Sequence, residues 1–340
     1  MIRRDLDAIP AYVPGKTDPE ALKLSSNEVA GVPLPAAAEA MAHAAAGGNR
    51  YPDMGASALK RALARHLGVD SANIAVGCGS SALCQQLAQA TSTPENSIIF
   101  PWRSFEAYPI FCRISGAEPR PVPLIDGAHD LERMLSLVND STSLVFLCSP
   151  NNPTGAVIST HDFHDFMAQV PEHVTVALDE AYFEFNRDEN AINGQDVWRD
   201  YPNLICLRTF SKAYGLAGVR VGYAFGNTDL ITAVDKVGVP FQVSAVAQAG
   251  AIASLERSDE LLARVEDTID VRDEVAEKIG AALSQANFVW LPFEDPAQAA
   301  AVADRLAQYG VLVRAFPEGL RITVTNRDET DEFLSAWDAL

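Results

Sequence analysis

The sequence predicts an α/β fold: a mainly parallel sheet sandwiched by helices, preceded by an N-terminal arm and followed by a smaller α+β domain. Three observations carry that expectation. Short apolar runs recur through the first two thirds of the chain, helix-length amphipathic segments separate most of them, and near residue 243 the texture changes to one long helical stretch with few strands beyond it. Strands of a parallel sheet are covered by helices on both faces, so they read as continuous apolar runs rather than as alternating ones.

Taken in order, residues 1–25 contain Pro10, Pro14, Gly15 and Pro19 and read as an extended arm that joins the smaller domain. The Ala-rich run from Ala36 to Ala46 reads as a helix. Asn73–Val76 is a short strand that enters Gly77-Cys-Gly-Ser-Ser81, with a helix starting near Ala82. Further buried strands are expected at Ser97–Phe100, Ser143–Cys148, Val174–Leu178, Leu204–Leu207 and Val221–Phe225, with a helix over Thr160–Gln169. Residues 26–240 then form the larger domain and 241–340 the smaller, which holds a helical stretch over Ala245–Ala286 and strands at Asn287–Leu291 and Gly319–Val324.

Composition narrows the function. A chain of 340 residues suits about two domains, and 48% hydrophobic residues supply a sizeable core. Lys and Arg number 26 against 45 Asp and Glu, a net charge of −19 that repels nucleic-acid phosphates and anionic membrane surfaces. No stretch approaches the roughly 18 apolar residues of a membrane span. Met1–Tyr12 lacks the apolar segment of a secretory signal, and the five cysteines form an odd count without a C-x-x-C pair. The expectation is a cytoplasmic protein with reduced thiols.

In open α/β sheets ligands bind beyond the carboxyl ends of the strands. There the chain places Ser149-Pro-Asn-Asn-Pro-Thr-Gly155, Asp179-Glu-Ala-Tyr182 and Arg208-Thr-Phe-Ser-Lys212, the last running on to Arg220. Singly, each has a plain explanation: a turn, a helix cap, a solvated lysine. Together they describe a site. Gly79, Ser80 and Ser81 at a helix start offer N–H groups and hydroxyls to a phosphate, and Ser211 and Arg220 can grip the same dianion. Asp179 leaves a buried strand as a carboxylate, and Lys212 lies among apolar residues that would free its amine as a nucleophile. A phosphate cradle, an acidic partner and a reactive lysine meet the needs of pyridoxal 5′-phosphate.

These residues, with Ser26-Asn-Glu28, Arg50-Tyr-Pro-Asp53, Gly218-Val-Arg220 and Arg321-Ile-Thr-Val324, resemble the fold-type I, class II aminotransferases, and within them the histidinol-phosphate aminotransferase group. Val13-Pro-Gly-Lys16, Gly77-Cys-Gly-Ser-Ser81 and Trp102-Arg-Ser-Phe-Glu-Ala-Tyr108 are most similar to an actinobacterial branch acting on phenylalanine and other aromatic amino acids. The resemblance implies Lys212 as the Schiff-base lysine and proton shuttle, and Asp179 on the pyridine nitrogen. It implies Asn152 and Tyr182 on the phenolic oxygen, and Phe105 stacked on the ring. Ser80, Ser81, Ser211 and Arg220 would bind the phosphate, with Tyr51 contributing across a homodimer interface. Arg321 would pair with the substrate carboxylate, Tyr12 would cover the pocket, Asn27 would line it, and Arg314 matches an arginine that holds phosphate in the histidinol-phosphate enzymes.

The implied reaction moves an amino group between an aromatic amino acid, phenylalanine first, and 2-oxoglutarate. Two departures bear on the alternative substrate, histidinol phosphate. Asn27-Glu-Val-Ala-Gly-Val-Pro33 replaces the group's usual Asn-Glu-Asn-Pro-Tyr-Gly, and Phe105 stands where tyrosine is common. A decarboxylase or lyase on the same fold, and a non-catalytic ligand-binding protein, are the remaining rivals. No metal is expected: His161 and His164 read as a solvated helix face. Cys78, Trp102, Tyr108 and Phe111 read as packing or pocket wall.

Overall fold

The computed structural model describes Asp7, Ile9 and residues 18–340. Seven strands form the central sheet in the spatial order Ile74–Gly77, Gly222–Gly226, Leu204–Thr209, Thr175–Asp179, Thr142–Cys148, Ser97–Trp102 and Glu118–Pro123. All run parallel except Gly222–Gly226, which is antiparallel to both neighbours. The expected strands are present within a residue or two of their predicted ends. The reversed direction of Gly222–Gly226 was not foreseen, because an apolar run carries no information about which way it points.

The alternation within one strand shows how the sheet is covered. Val145 and Leu147 enter one apolar core, whereas Leu144, Phe146 and Cys148 enter the other. Every residue of Thr142–Cys148, Thr175–Asp179 and Leu204–Thr209 is buried, as strands with helices on both faces require. Pro35–Ala45 and Ala245–Leu255 pack together on one side.

A third core lies around a separate antiparallel sheet of Phe288–Pro292, Gly319–Thr323 and Arg314–Phe316, with Gly319–Thr323 in the middle. Helices Ser258–Ile279, Pro296–Gln308 and Arg327–Asp338 cover it. Leu22–Lys23 pair in parallel with Val311–Leu312, and Leu24 is buried in the same core. The long helix expected over 245–286 is two helices instead. Ala245–Leu255 ends at Glu256, and Ser258–Ile279 stops at Gly280, whose φ of +70° closes the helix in the left-handed conformation. Apolar periodicity continues across so short a break, which is why the sequence reads as one piece. No helix among the described residues is long and apolar enough to cross a membrane.

Candidate active site

The ends of the parallel strands and the three-stranded sheet enclose a cavity of about 240 Å³. Twelve of the fourteen side chains singled out from the sequence line it: Asn27, Ser80, Ser81, Phe105, Asn152, Asp179, Tyr182, Ser211, Lys212, Arg220, Arg314 and Arg321. Tyr51 does not. It is 82% exposed and stacks on Phe241, with ring centroids 4.6 Å apart. Tyr12 lies outside the described residues.

One end of the cavity is built to hold an anion. Helix Ser80–Thr91 begins there, with Gly79 at its cap at a positive φ of +79°. A Cβ on Gly79 would run into the Arg220 guanidinium, and one on Gly222 would run into the Ser80 amide, so both glycines permit the close approach. Arg220 Nη1 donates to Ser211 Oγ at 3.3 Å, and its Nη2 donates to Ser81 Oγ at 3.3 Å. Two hydroxyls, a guanidinium and a helix N-terminus therefore converge, a combination that favours a phosphate dianion.

Deeper in the cavity, Asp179 ends the strand Thr175–Asp179. Its Oδ2 accepts a hydrogen bond from the Tyr108 hydroxyl at 2.8 Å, while Oδ1 is buried with no partner among the described residues. Burial pushes the Asp179 carboxyl up to about 6, against the lowering effects of the Tyr108 hydrogen bond and, after it, the nearby Ala181 backbone N–H. A buried, half-satisfied carboxylate is costly unless an N–H or a cation comes to it. Tyr108 itself is fully buried and stacks on Phe146 with centroids 4.5 Å apart, which fixes its ring.

Lys212 follows Ser211 in the loop after the strand Leu204–Thr209. Its Nζ donates to the Ser26 carbonyl at 3.0 Å and sits 5.7 Å from the centre of the Tyr182 ring. Burial, helped by the Arg321 guanidinium, brings the Lys212 amine down to about 7. Near neutral pH the amine therefore carries a lone pair for a substantial part of the time, as a nucleophile or proton acceptor needs. Tyr182 accepts from Asn27 Nδ2 at 2.9 Å, and burial pushes its hydroxyl up to about 12, so it stays a proton donor. Asn27 has left-handed backbone (φ 55°), and Thr323 of the three-stranded sheet ties it down through the Asn27 amide and Oδ1.

Arg321 lies in the middle strand of that sheet. Its Nη1 donates to Asn152 Oδ1 and its Nη2 to the Ser25 carbonyl, each at 2.6 Å. At the mouth, Arg314 Nη2 contacts Glu106 Oε2 at 3.0 Å, and beside it Arg103 makes a two-pronged pair with Glu318 at 3.1 and 2.8 Å. Phe105 stands edge-on to Tyr108, with centroids 5.5 Å apart.

The chain matches the family model for aminotransferases of class I and II over residues 19–336. This chain belongs to that family. Curated relatives named aromatic amino acid aminotransferase include one from Corynebacterium diphtheriae, 60% identical with 100% of this chain and 99% of that protein covered. One from Rhodococcus opacus is 51% identical, with 98% and 94% covered. Among solved structures, histidinol-phosphate aminotransferase from Sinorhizobium meliloti, in complex with pyridoxal-5′-phosphate, superposes with a TM-score of 0.88 at 31% identity over 93% of this chain and 89% of that one. The fold described above is thus that of a fold-type I aminotransferase.

Two side chains at or just behind this aminotransferase's cavity were not anticipated as polar participants. Tyr108, read as core or wall, is a core residue and also the hydrogen-bond partner of Asp179. Its signal was its place one helical turn after Phe105, at the start of helix Tyr108–Ser115. Glu106 gave no signal, because its partner is 208 residues away. Cys78, expected to pack, is exposed beside the anion-binding turn, while Cys84, Cys112, Cys148 and Cys206 are buried. His161 is exposed next to Asp165, and His164 Nδ1 meets the Tyr201 hydroxyl at 2.6 Å.

Proposed function

We propose that this aminotransferase uses pyridoxal 5′-phosphate to move an amino group between an aromatic amino acid, phenylalanine first, and 2-oxoglutarate. The observation that carries the cofactor is the buried, unpartnered Oδ1 of Asp179 in the same cavity as Lys212 and the Arg220 anion cradle. A group with a phosphate at one end and a protonated ring nitrogen at the other would satisfy both ends. The aromatic substrate is supported by relatives of 50–60% identity that carry that name.

Bound there, pyridoxal 5′-phosphate supplies an electron sink for the substrate's α-carbon. The protein's own groups do the rest. Asp179 Oδ1 would hold the proton on the ring nitrogen. Ser80, Ser81, Ser211 and Arg220 would hold the phosphate, Phe105 would stack on the ring, and Asn152 and Tyr182 would hydrogen-bond its phenolic oxygen. Lys212 Nζ would take the proton from the substrate α-carbon and deliver it to the carbon on the far side of the shared nitrogen, two atoms along, a task that its depressed pKa suits. Arg321 orients the substrate through its carboxylate by a planar two-pronged pair. We also infer a homodimer. Tyr51 and Phe241, together with Met54 and Val239 of the same two segments, are exposed apolar side chains, and a second copy would cover them and bring Tyr51 to the phosphate.

The test is a single-turnover titration of the purified holoenzyme, following its visible absorbance after separate additions of phenylalanine, tyrosine, histidinol phosphate and glutamate. Rapid conversion by the aromatic amino acids with a weak response to histidinol phosphate is expected. The reverse preference would make this an enzyme of histidine synthesis. Carbon dioxide release without stoichiometric 2-oxo acid would make it a decarboxylase.

A further inference from the structure

Arg314 and Arg321 face each other directly across the antiparallel pair of strands Arg314–Phe316 and Gly319–Thr323. Residues so paired carry their side chains on the same face, about 5 Å apart at Cβ, and like charges there repel. Both arginines line the cavity. With nothing else nearby, the substrate end would hold two adjacent positive charges, a site suited to a doubly charged anion. Glu106 changes that. It reaches in from the turn between the strand Ser97–Trp102 and helix Tyr108–Ser115 and pairs with Arg314 at 3.0 Å. Arg103 and Glu318 bridge the same two elements beside it, so the turn carrying Glu106 is held against the three-stranded sheet.

We propose that Glu106 sets the charge selectivity of the substrate cavity, by occupying Arg314 so that a substrate with a single carboxylate meets Arg321 alone. This rests on the aromatic reading above and deepens it. A neutral aromatic side chain leaves the Glu106–Arg314 pair intact. A substrate that brings a second negative charge, whether a phosphate ester or a second carboxylate, gains Arg314 only by drawing it off Glu106 and lies close to an uncompensated carboxylate when it does. Dicarboxylates still bind, at that cost. Glu106 acts through Arg314 and is a specificity-positioning residue rather than a catalytic one.

The experiment compares kcat/KM of the holoenzyme for histidinol phosphate and for phenylalanine in the wild type, in Glu106→Gln and in the double variant Glu106→Gln/Arg314→Gln. Both partners are partly exposed, at 32% and 20%, so the pair is of moderate strength. Glu106→Gln should therefore raise the histidinol phosphate to phenylalanine ratio by about twofold to fivefold. The gain should come through a lower KM for the phosphate ester, and the double variant should abolish it. Glu106→Ala, which removes the charge with a different shape, should give a rise of the same direction. A ratio that stays at the wild-type value in both neutral variants, or a gain that survives loss of Arg314, overturns the role of Glu106 while leaving the aromatic reading intact. A wild type that already prefers histidinol phosphate overturns both.

Discussion

Asp179→Asn should make the cofactor-free enzyme more stable while making the holoenzyme nearly inactive. Asp179 is 4% exposed, and its carboxyl is pushed by burial from 3.8 to about 6. Because its folded pKa is raised, the folded state binds a proton more tightly than the unfolded state does. The penalty is therefore fully present above pH 6 and disappears as pH falls from 6 towards 3.8. A displacement of about two pH units at 1.36 kcal/mol each gives roughly 3 kcal/mol as an upper bound at neutral pH. Asparagine keeps an oxygen to accept from Tyr108 at the same shape, and it removes the charge. Urea unfolding of the cofactor-free variant at pH 8 and pH 4.5 measures the effect. The variant should exceed the wild type clearly at the higher pH and by much less at the lower. With pyridoxal 5′-phosphate bound, the order should reverse, because asparagine cannot hold a proton on the ring nitrogen, and turnover should fall by several orders of magnitude. A variant no more stable than the wild type at pH 8 would refute the claim that Asp179 is held at a cost for the sake of its ligand.

Two further outcomes follow from the same geometry. Lys212→Ala should abolish turnover in a protein that keeps its far-ultraviolet circular dichroism, since among the described residues Nζ makes a single hydrogen bond, to the Ser26 carbonyl; steady-state amino transfer at the wild-type rate would remove Lys212 from the chemistry. Glu180→Ala should cost about 3–5 kcal/mol in urea unfolding, because it strands Arg208 as a buried cation. That arginine is 3% exposed, pairs with Glu180 at 2.9 Å and stacks on Phe183 at 3.6 Å. The double substitution Glu180→Leu/Arg208→Met should recover most of the loss, and failure to recover would mean that the ion pair itself, rather than the lone charge, supports the strand end beside Asp179.

Much of the site was legible because its residues follow strands, and strands are legible. Thr175–Asp179 is buried at every position, so a carboxylate at its end has to face either a cost or a ligand. The same reasoning picks out Lys212 after Leu204–Thr209 and the serines after Ile74–Gly77. Direction and pairing were less legible. Gly222–Gly226 runs against its neighbours although its burial matches theirs, and the break near Glu256 leaves no mark on the apolar period.

What the sequence withheld most completely is the charge pairing between distant segments. Arg314 reads as one more cation for an acidic substrate until the register of two strands sets it opposite Arg321 and a turn more than two hundred residues earlier supplies Glu106. The same holds for Glu180, which reads as a second acid beside Asp179. In the fold its Oε2 takes the Arg208 guanidinium and its Oε1 the Gly194 amide, at 2.9 and 2.8 Å. Two adjacent carboxylates thus have opposite fates: Glu180 is fully paired and serves the scaffold, and Asp179 is left half-paired toward the cavity. That difference, set by partners on other strands and turns, is what makes Asp179 rather than Glu180 the residue available to a ligand.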